Sequence, residues 1–432
     1  MTYDSMSFDE NKPIKLPADI EIYESNGTSI AYSCSINSWV VLSTVEEFFC
    51  FKLLMEGSSL ADTINIAKKK GLPEKILQNV LAELIDKHYF STNENTVNNL
   101  LNLNYSTITC NITDACNLRC ITCFKSCENS REIEIDTQQW ISILDQHASI
   151  GGKALRISGG EPLLKLEMVS SLIKFAKSHN YDTAILTNGT LLNATAVELL
   201  EESGIDRIQV SLDGPTEKSN DSVRGMGTFS KVMDALKLLS KTKIEVFVAM
   251  VPVPGYSDQA FFEYGEQFSK QLETQFNGRI FFNIAQGIID GRNIKKSNAP
   301  LFIRKCGTIQ DMMGENNSAA ALDLWRFNPG QRTPTCGYAC QLTVESDGLV
   351  KNCAIGENIG NVIDIGLEYV IAQLRNNAEC HLVDDLEMCK KCALRNICGG
   401  PCRIDPQVCT REMRSLLVSR IAESNKFRYS LA

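Results

Sequence analysis

The stretch Cys116-Asn-Leu-Arg-Cys120-Ile-Thr-Cys123 decides how this chain is organised, because its cysteines have the spacing C-x3-C-x2-C. Thiolates at short, uneven spacings suit soft metals and iron–sulfur clusters. Three thiolates leave one iron of a [4Fe–4S] cluster without a protein ligand, and an open coordination position is typical of a catalytic metal site. The stretch follows directly on a strand-like run, Thr107–Ile112. It therefore predicts a catalytic cluster in a loop at the end of a strand.

A second group of cysteines lies far downstream, where four of them have the spacing C-x2-C-x5-C-x3-C and four others flank them. The four are Cys389, Cys392, Cys398 and Cys402, and the flanking ones are Cys336, Cys340, Cys353 and Cys409. A disulfide scaffold is the ordinary alternative for 17 cysteines, but such scaffolds are small and secreted. This chain has 432 residues, and its first nine residues are polar, without the apolar core of a signal peptide. We therefore expect reduced thiols in the cytoplasm.

Composition excludes several classes of protein. The length predicts about two to four domains, and a hydrophobic fraction of 44% is typical of globular chains. No stretch approaches the roughly 18 apolar residues of a membrane span. The net charge of −9 is unfavourable for binding nucleic acid. We expect neither a membrane nor a nucleic acid as a partner.

Residues 107–300 alternate strand-like and helical patterns, which predicts an α/β domain with a parallel sheet, either open or closed into a partial (β/α)6 barrel. Helical patterns such as Leu166–Ser178 and Ala194–Glu202 separate the strands. In such barrels the chemistry takes place at the C-terminal ends of the strands. The predicted strands are Thr107–Ile112, Ala154–Ser158, Thr183–Thr187, Arg207–Leu212, Ile244–Met250 and Arg279–Asn283.

Residues 1–90 predict a small separate domain. Two strand-like runs flank Asn26-Gly27, a hairpin signal, and three helical patterns follow. A hairpin with three helices is the plan of a winged-helix domain. We assign residues 91–106 to a linker and residues 301–432, where the cysteines are dense, to a C-terminal domain.

Further residues near the predicted strand ends complete a resemblance to the radical S-adenosylmethionine (SAM) superfamily. In that family the open iron chelates the amino and carboxylate groups of SAM. The segment Gly159-Gly160-Glu161-Pro162 resembles the family segment that holds the methionine amino group, with glycines for close approach and Glu161 as an acceptor. The resemblance further implies that Asn188 lies at the site and that Ser211 and Arg224 bind the SAM carboxylate.

The downstream cysteines resemble the SPASM signature, which implies two auxiliary [4Fe–4S] clusters and three clusters in all. By the family pattern one cluster takes Cys336, Cys340, Cys353 and Cys402, and the other takes Cys389, Cys392, Cys398 and Cys409. Zinc is the alternative, because C-x2-C pairs also build zinc sites. Whether Cys340 is a ligand, or leaves an open iron for a substrate thiolate, is a second open point.

The N-terminal domain has two possible uses, which are reading DNA or binding a peptide along a strand edge. Residues 1–90 carry 8 Lys or Arg and 13 Asp or Glu, whereas a DNA reader should show a basic face. The pattern from Ser35 to Leu60 resembles the recognition element of enzymes that mature ribosomal peptides, in which a leader peptide adds a strand to the sheet. A merely structural domain is the simpler alternative.

Together these resemblances identify the chain as a radical SAM/SPASM peptide maturase. They imply cleavage of SAM by an electron from a donor such as flavodoxin or ferredoxin, and hydrogen abstraction from a precursor peptide with a leader sequence. The preferred product is a thioether crosslink. The alternatives are a carbon–carbon crosslink, formylglycine formation on a sulfatase, an iron–sulfur transcriptional sensor and a simple electron-transfer protein. The catalytic base is not identified.

Overall fold

The fold was derived from a computed structural model. The structure describes residues 9–25, 27–90, 105–284, 291–294, 339, 341–353, 356–400, 414, 417–419 and 421–422. Cys336, Cys340, Cys402 and Cys409, and the predicted linker up to residue 104, lie outside these residues.

The N-terminal part contains a three-stranded antiparallel sheet followed by three helices. The strands are β1 (Ile20–Ser25), β2 (Thr28–Ser33) and β3 (Ser38–Leu42), and the helices are α1 (Val45–Met55), α2 (Leu60–Lys69) and α3 (Glu74–Asp86). The predicted hairpin is present, with Ser25 opposite Thr28, and so are the predicted helices. Strand β3 was missed, because all five of its residues are buried and the strand therefore lacks the alternation of a half-buried strand.

Both faces of this sheet are covered. On one face Ala31 and Val40 pack with Phe51 and Leu54 of α1 and with residues of α2 and α3. On the other face Ile30, Tyr32, Trp39 and Val41 pack against residues from the C-terminal part of the chain, namely Leu394, Ile397, Val418, Ile421 and Ala422. The N-terminal sheet is therefore anchored to the cysteine-rich region through an apolar contact.

The centre of the molecule is a parallel sheet whose six strands follow the predicted order. They are β4 (Thr107–Asn111), β5 (Ala154–Ser158), β6 (Asp182–Thr187), β7 (Arg207–Ser211), β8 (Glu245–Met250) and β9 (Ile280–Ile284), each parallel to the next. The predicted ends of the strands differ from these by at most one residue. The α/β architecture with a mostly parallel sheet is thus confirmed.

Helices connect these strands and bury their apolar faces on the sheet. They are α4 (Thr137–Ser149), α5 (Leu166–Ser178), α6 (Ala194–Glu202), α7 (Glu217–Arg224), α8 (Thr228–Leu239) and α9 (Asp258–Phe276). Helix α4 shows how the sequence sets a boundary, because Asp136 and Gln139 form a reciprocal capping box at its start. Among the described helices, none is both long and apolar enough to cross a membrane.

Three short C-terminal strands extend the same sheet, which the sequence analysis did not foresee. Strands β10 (Leu342–Val344), β11 (Leu349–Lys351) and β12 (Asn358–Asn361) give the order β12-β11-β10-β4-β5-β6-β7-β8-β9, in which β10 is parallel to β4. Helices α10 (Val362–Ile365), α11 (Leu367–Glu379) and α12 (Arg395–Cys398) follow. Strands of three or four residues are too short to show a period. Part of the region assigned to residues 301–432 therefore completes the central sheet.

Candidate metal and cofactor site

The loop that carries Cys116, Cys120 and Cys123 begins at the C-terminal edge of the parallel sheet, directly after β4. The loops after β5 and β6 meet it there. The backbone N–H of Gly160 donates to Thr113 O at 2.7 Å, and that of Glu161 donates to Ala115 O at 2.8 Å. Because parallel strands all end at the same edge, residues that are distant in sequence converge on this loop.

Gly159 and Gly160 allow the loop after β5 to lie against the start of the cysteine loop. A Cβ atom on Gly160 would lie 2.2 Å from Ala115 O, and one on Gly159 would lie 2.4 Å from Thr113 O. Gly159 also has φ +144°, a conformation that favours glycine. The resemblance implied that the glycines permit close approach to SAM. The structure shows that they first permit close approach of two backbone segments.

Glu161 links the loops after β5 and β6. Its side chain is fully buried, and its carboxylate accepts from Thr187 Oγ1 at 2.7 Å, Asn188 N at 2.8 Å and Leu163 N at 3.0 Å. Burial raises the pKa of Glu161, while these three donors act in the opposite direction. Its partners thus belong to the protein, and its predicted contact with an ammonium group of SAM stays a prediction.

Asn188 connects the end of β6 to the first cysteine of the loop. Its amide nitrogen donates to Asn117 Oδ1 at 2.8 Å and lies 4.0 Å from Cys116 Sγ. Its amide oxygen accepts from the N–H and the hydroxyl of Thr190. These bonds fix the orientation of the Asn188 side chain beside the Cys116 thiol. Ser211, which ends β7, is half-buried.

Arg224, the last residue of α7, pairs with a buried carboxylate. Its Nε lies 2.8 Å from Asp213 Oδ2, and the Asp213 side chain is fully buried. Asp213 Oδ1 also accepts the N–H of Val251 at 2.9 Å. Burial opposes the charge of Arg224, but the Asp213 carboxylate raises its pKa. Cys120 Sγ lies 3.9 Å from Arg224 O. The backbone carbonyl of Arg224 therefore lies beside the cysteine loop. Asp213 was not among the site residues predicted from the sequence.

The three cysteines have different environments. All three are half-buried, and burial raises the pKa of Cys116 and of Cys120. Hydrogen bonds from the Cys127 thiol, chiefly, and from backbone N–H groups lower the pKa of Cys123. Cys127 is buried. The Cys123 sulfur thus has hydrogen-bond donors around it, which favour its deprotonated form.

A short segment after β9 contacts the cysteine loop and was not foreseen. The N–H of Arg292 donates to Cys123 O at 3.1 Å, and that of Asn293 donates to Ile121 O at 3.0 Å. The guanidinium of Arg292 binds Cys127 O at 2.8 Å and pairs with Glu128. A Cβ on Gly291 would lie 2.7 Å from the carbonyl carbon of Thr122. The glycine before Arg292 was the available signal, since it marks a close backbone approach.

The residues of this loop are chemically suited to a [4Fe–4S] cluster, since they offer three thiols on one loop with N–H donors to two of the sulfurs. In the described part of the chain, no three Cys, His, Asp or Glu side chains are arranged to hold a metal ion as they stand. The thiols would have to turn toward a common point when a cluster binds. That these cysteines hold the cluster stays a prediction.

Four of the C-terminal cysteines belong to the described residues. Cys389 is buried and Cys392 is half-buried, in turns joined by a bond from Cys392 N to Cys389 O at 2.8 Å. Cys398 ends α12 and is exposed, while Cys353 follows β11 and is half-buried. Their predicted co-ligands lie outside the described residues. The two auxiliary clusters therefore stay predictions.

The pair of Arg224 and Asp213 provides a stability test. The change Arg224→Met should lower the free energy of unfolding by about 3–5 kcal/mol, because it leaves the Asp213 carboxylate buried without its counter-charge. Urea unfolding monitored by circular dichroism measures this. The matched control is Lys270→Met, which breaks an exposed pair with Glu266 and should cost less than about 1 kcal/mol. Equal, small effects of both changes would contradict a tight ionic contact at Arg224.

Comparison with known proteins identifies the domain that contains this site. Residues 110–266 match the model of the radical SAM superfamily, so the matched range contains the cysteine loop and the loops after β5, β6 and β7. AdoMet-dependent heme synthase of Methanosarcina barkeri is 34% identical over 132 residues, which are 30% of this chain and 38% of that protein. The chain spans 34–38% of the length of this relative and the next three curated relatives.

Two further matches extend beyond that range. The sporulation killing factor maturation protein SkfB of Bacillus subtilis is 27% identical over 301 residues, 66% of this chain and 71% of that protein. Among solved structures, SuiB of Streptococcus suis bound to precursor peptide SuiA matches with a TM-score of 0.55 and 18% identity, over 90% of this chain and 96% of that chain. At this identity the structural match shows a shared fold.

Proposed function

We propose that this chain, whose residues 110–266 match the model of the radical SAM superfamily, is a radical SAM enzyme that modifies a ribosomally made precursor peptide. A [4Fe–4S] cluster on Cys116, Cys120 and Cys123 would supply the electron that cleaves SAM to methionine and a 5′-deoxyadenosyl radical, which abstracts hydrogen from the peptide. The observation that carries this proposal is the convergence of the loops after β5, β6 and β7 on the cysteine loop at one edge of the sheet.

We assign different roles in binding SAM to the residues around the cysteine loop. Arg224, oriented by Asp213, would pair with the SAM carboxylate, and Ser211 at the end of β7 would donate to the same group. Gly159, Gly160 and Pro162 shape the loop beside the methionine amino group, and Asn188 lies between that loop and Cys116. Glu161 holds the loops after β5 and β6 together, which supports a positioning part for its carboxylate.

The first test is SAM cleavage. The chain, reconstituted anaerobically with iron and sulfide and reduced with dithionite, should convert SAM to 5′-deoxyadenosine and methionine, as measured by chromatography. Omitting the reductant is the control, because cleavage requires an electron. A fully iron-loaded chain that leaves SAM intact would contradict the proposal.

A groove in the N-terminal part supports recognition of an extended peptide. Among the described strands, only β2 pairs with β3, and between the other edge of β3 and α3 lies a cavity of about 260 Å³. The N–H of Val41 points into this space, where it donates to the Glu83 carboxylate at 3.4 Å. An incoming strand could replace that weak bond with backbone hydrogen bonds, which is how peptides add to sheet edges. We propose that the leader of the precursor binds here.

The groove can be blocked without disturbing the core. Ala82 lines it from an exposed position on α3, so Ala82→Trp should fill it and lower the affinity for a synthetic leader peptide of the precursor by at least about tenfold. Fluorescence anisotropy measures the affinity. Gln78→Trp, on an exposed position of α3 outside the groove, should change nothing, and SAM cleavage should persist in both. Unchanged peptide affinity in Ala82→Trp would contradict this binding mode.

A point change is preferable to deletion of residues 1–90. The face of the N-terminal sheet that carries Tyr32 and Trp39 packs against Leu394 and Ile397, so deletion would expose apolar surface in the cysteine-rich region. That contact also covers one face of the sheet. Together with the excess of acidic residues in this part of the chain, it favours a peptide over DNA as the partner.

We propose a thioether as the product, formed between a peptide cysteine and a carbon of another residue. Auxiliary [4Fe–4S] clusters on the C-terminal cysteines would accept the remaining electron, and a flavodoxin or ferredoxin would supply the first one. A carbon–carbon crosslink removes the same number of hydrogens, so mass alone does not separate the two products. Alkylation by iodoacetamide does, because a thioether consumes the cysteine thiol. Full alkylation of the product would favour the carbon–carbon alternative.

A further inference from the structure

The turn Glu345–Gly348 lies at the same edge of the sheet as the cysteine loop. Strand β10 runs parallel to β4, with Val344 opposite Cys110, so the residues that follow β10 emerge where the cysteine loop begins. The turn is tight, with the N–H of Gly348 donating to Glu345 O at 2.9 Å and Gly348 at φ +86°. A C-terminal segment thus reaches the edge where the predicted radical chemistry takes place.

A buried ion pair joins this turn to the cysteine loop. Lys125, two residues after Cys123, places its Nζ 2.7 Å from Glu345 Oε2, and the two side chains are only 16% and 2% exposed. Within the described residues, the second carboxylate oxygen of Glu345 is buried and has no hydrogen-bond partner. A carboxylate so placed depends on the Lys125 ammonium for its compensation, because a buried charge without a partner is strongly unfavourable.

Two further contacts fasten the same two segments. Arg131 bridges Asp114, just before the cysteines, and Asp347 of the turn. The N–H of Ile135 donates to Ser346 O at 2.7 Å. The segment from residue 125 to residue 135 is therefore attached to the turn at its beginning, in its middle and at its end.

We propose that the turn Glu345–Gly348 is a positioning element for the cysteine loop, acting through Lys125 and Arg131, so that the C-terminal region controls how firmly the loop holds its iron. The inference rests on the proposed function insofar as the loop binds the SAM cluster. Lys125 and Glu345 are positioning residues, because each acts through the loop on the cysteine thiols. Partners that orient metal ligands in this way commonly contribute about 10–100-fold to metal affinity or activity.

The test compares Glu345→Leu with the double change Lys125→Met/Glu345→Leu, which leaves no unpaired charge. The first readout is hydrogen exchange of residues 114–135 in the cluster-free chain, and we expect it to accelerate at least about tenfold while exchange in α9 is unchanged. The second readout is the SAM-dependent change in the electron paramagnetic resonance spectrum of the reduced cluster, which should fall by about 10–100-fold. Glu266→Leu, in an exposed pair on α9, is the control.

Wild-type exchange and a wild-type SAM-dependent signal in the double variant would overturn the inference. Faster exchange throughout the central sheet in both variants would also overturn it, because the pair would then stabilise the whole fold and not the loop. Absence of the SAM-dependent signal in the wild-type chain would instead contradict the proposed function. The hydrogen exchange of residues 114–135 is measured in the cluster-free chain, so that result does not depend on whether the chain binds SAM.

Discussion

Replacing Cys116, Cys120 and Cys123 together by alanine is expected to remove about four irons from each reconstituted chain and to abolish formation of 5′-deoxyadenosine. The physical reason is that thiolates are the ligands of such a cluster, and the described neighbours of the loop offer no replacement soft donor other than Cys127, which is buried behind Cys123. Iron is measured by a colorimetric assay and the nucleoside by chromatography, both under strictly anaerobic conditions.

The matched control for this experiment is Cys380→Ala. Cys380 is exposed and belongs to neither cysteine group, so its removal should leave iron content and SAM cleavage unchanged. Formation of 5′-deoxyadenosine by the triple variant would show that another group of thiols holds the reactive cluster. Loss of all iron in the triple variant would mean that the C-terminal cysteines hold no clusters of their own.

The change Gly160→Ala should have the second-largest effect, a loss of about 10²-fold in SAM cleavage with a decrease of only about 1–3 kcal/mol in the free energy of unfolding. The added Cβ would lie 2.2 Å from Ala115 O, a backbone atom that cannot rotate away. The loop after β5 and the start of the cysteine loop must therefore move apart. This movement separates the predicted SAM-binding loop from the cysteines, while the sheet below stays intact.

Gly204→Ala separates this effect from backbone strain. Gly204 has φ +81°, but its Cβ would meet nothing closer than 3.5 Å, so the change costs conformational energy without displacing a neighbour. SAM cleavage should stay at the wild-type level in Gly204→Ala. Wild-type cleavage in Gly160→Ala as well would show that the contact between the two loops does not position the cysteines.

The sequence alone determined the features that depend on short spacings and regular periods. The C-x3-C-x2-C spacing identified the cysteine loop, and the alternation of strands with helices located the six parallel strands to within a residue at each end. Both signals are local, because a strand or a turn is specified within a few consecutive residues. The glycines at 159 and 160 were found for the same reason, although their neighbours were not.

The tertiary structure alone decided which distant residues meet. It showed that Glu161 binds Thr187 and Asn188, that Asp213 holds Arg224, and that Lys125 pairs with Glu345 across 220 positions of sequence. It also placed β10 beside β4 and the N-terminal sheet against Leu394 and Ile397. None of these contacts leaves a periodic trace in the sequence, because each depends on how separate elements pack. The structural role of a single buried charge or of a three-residue strand depends on its neighbours in space.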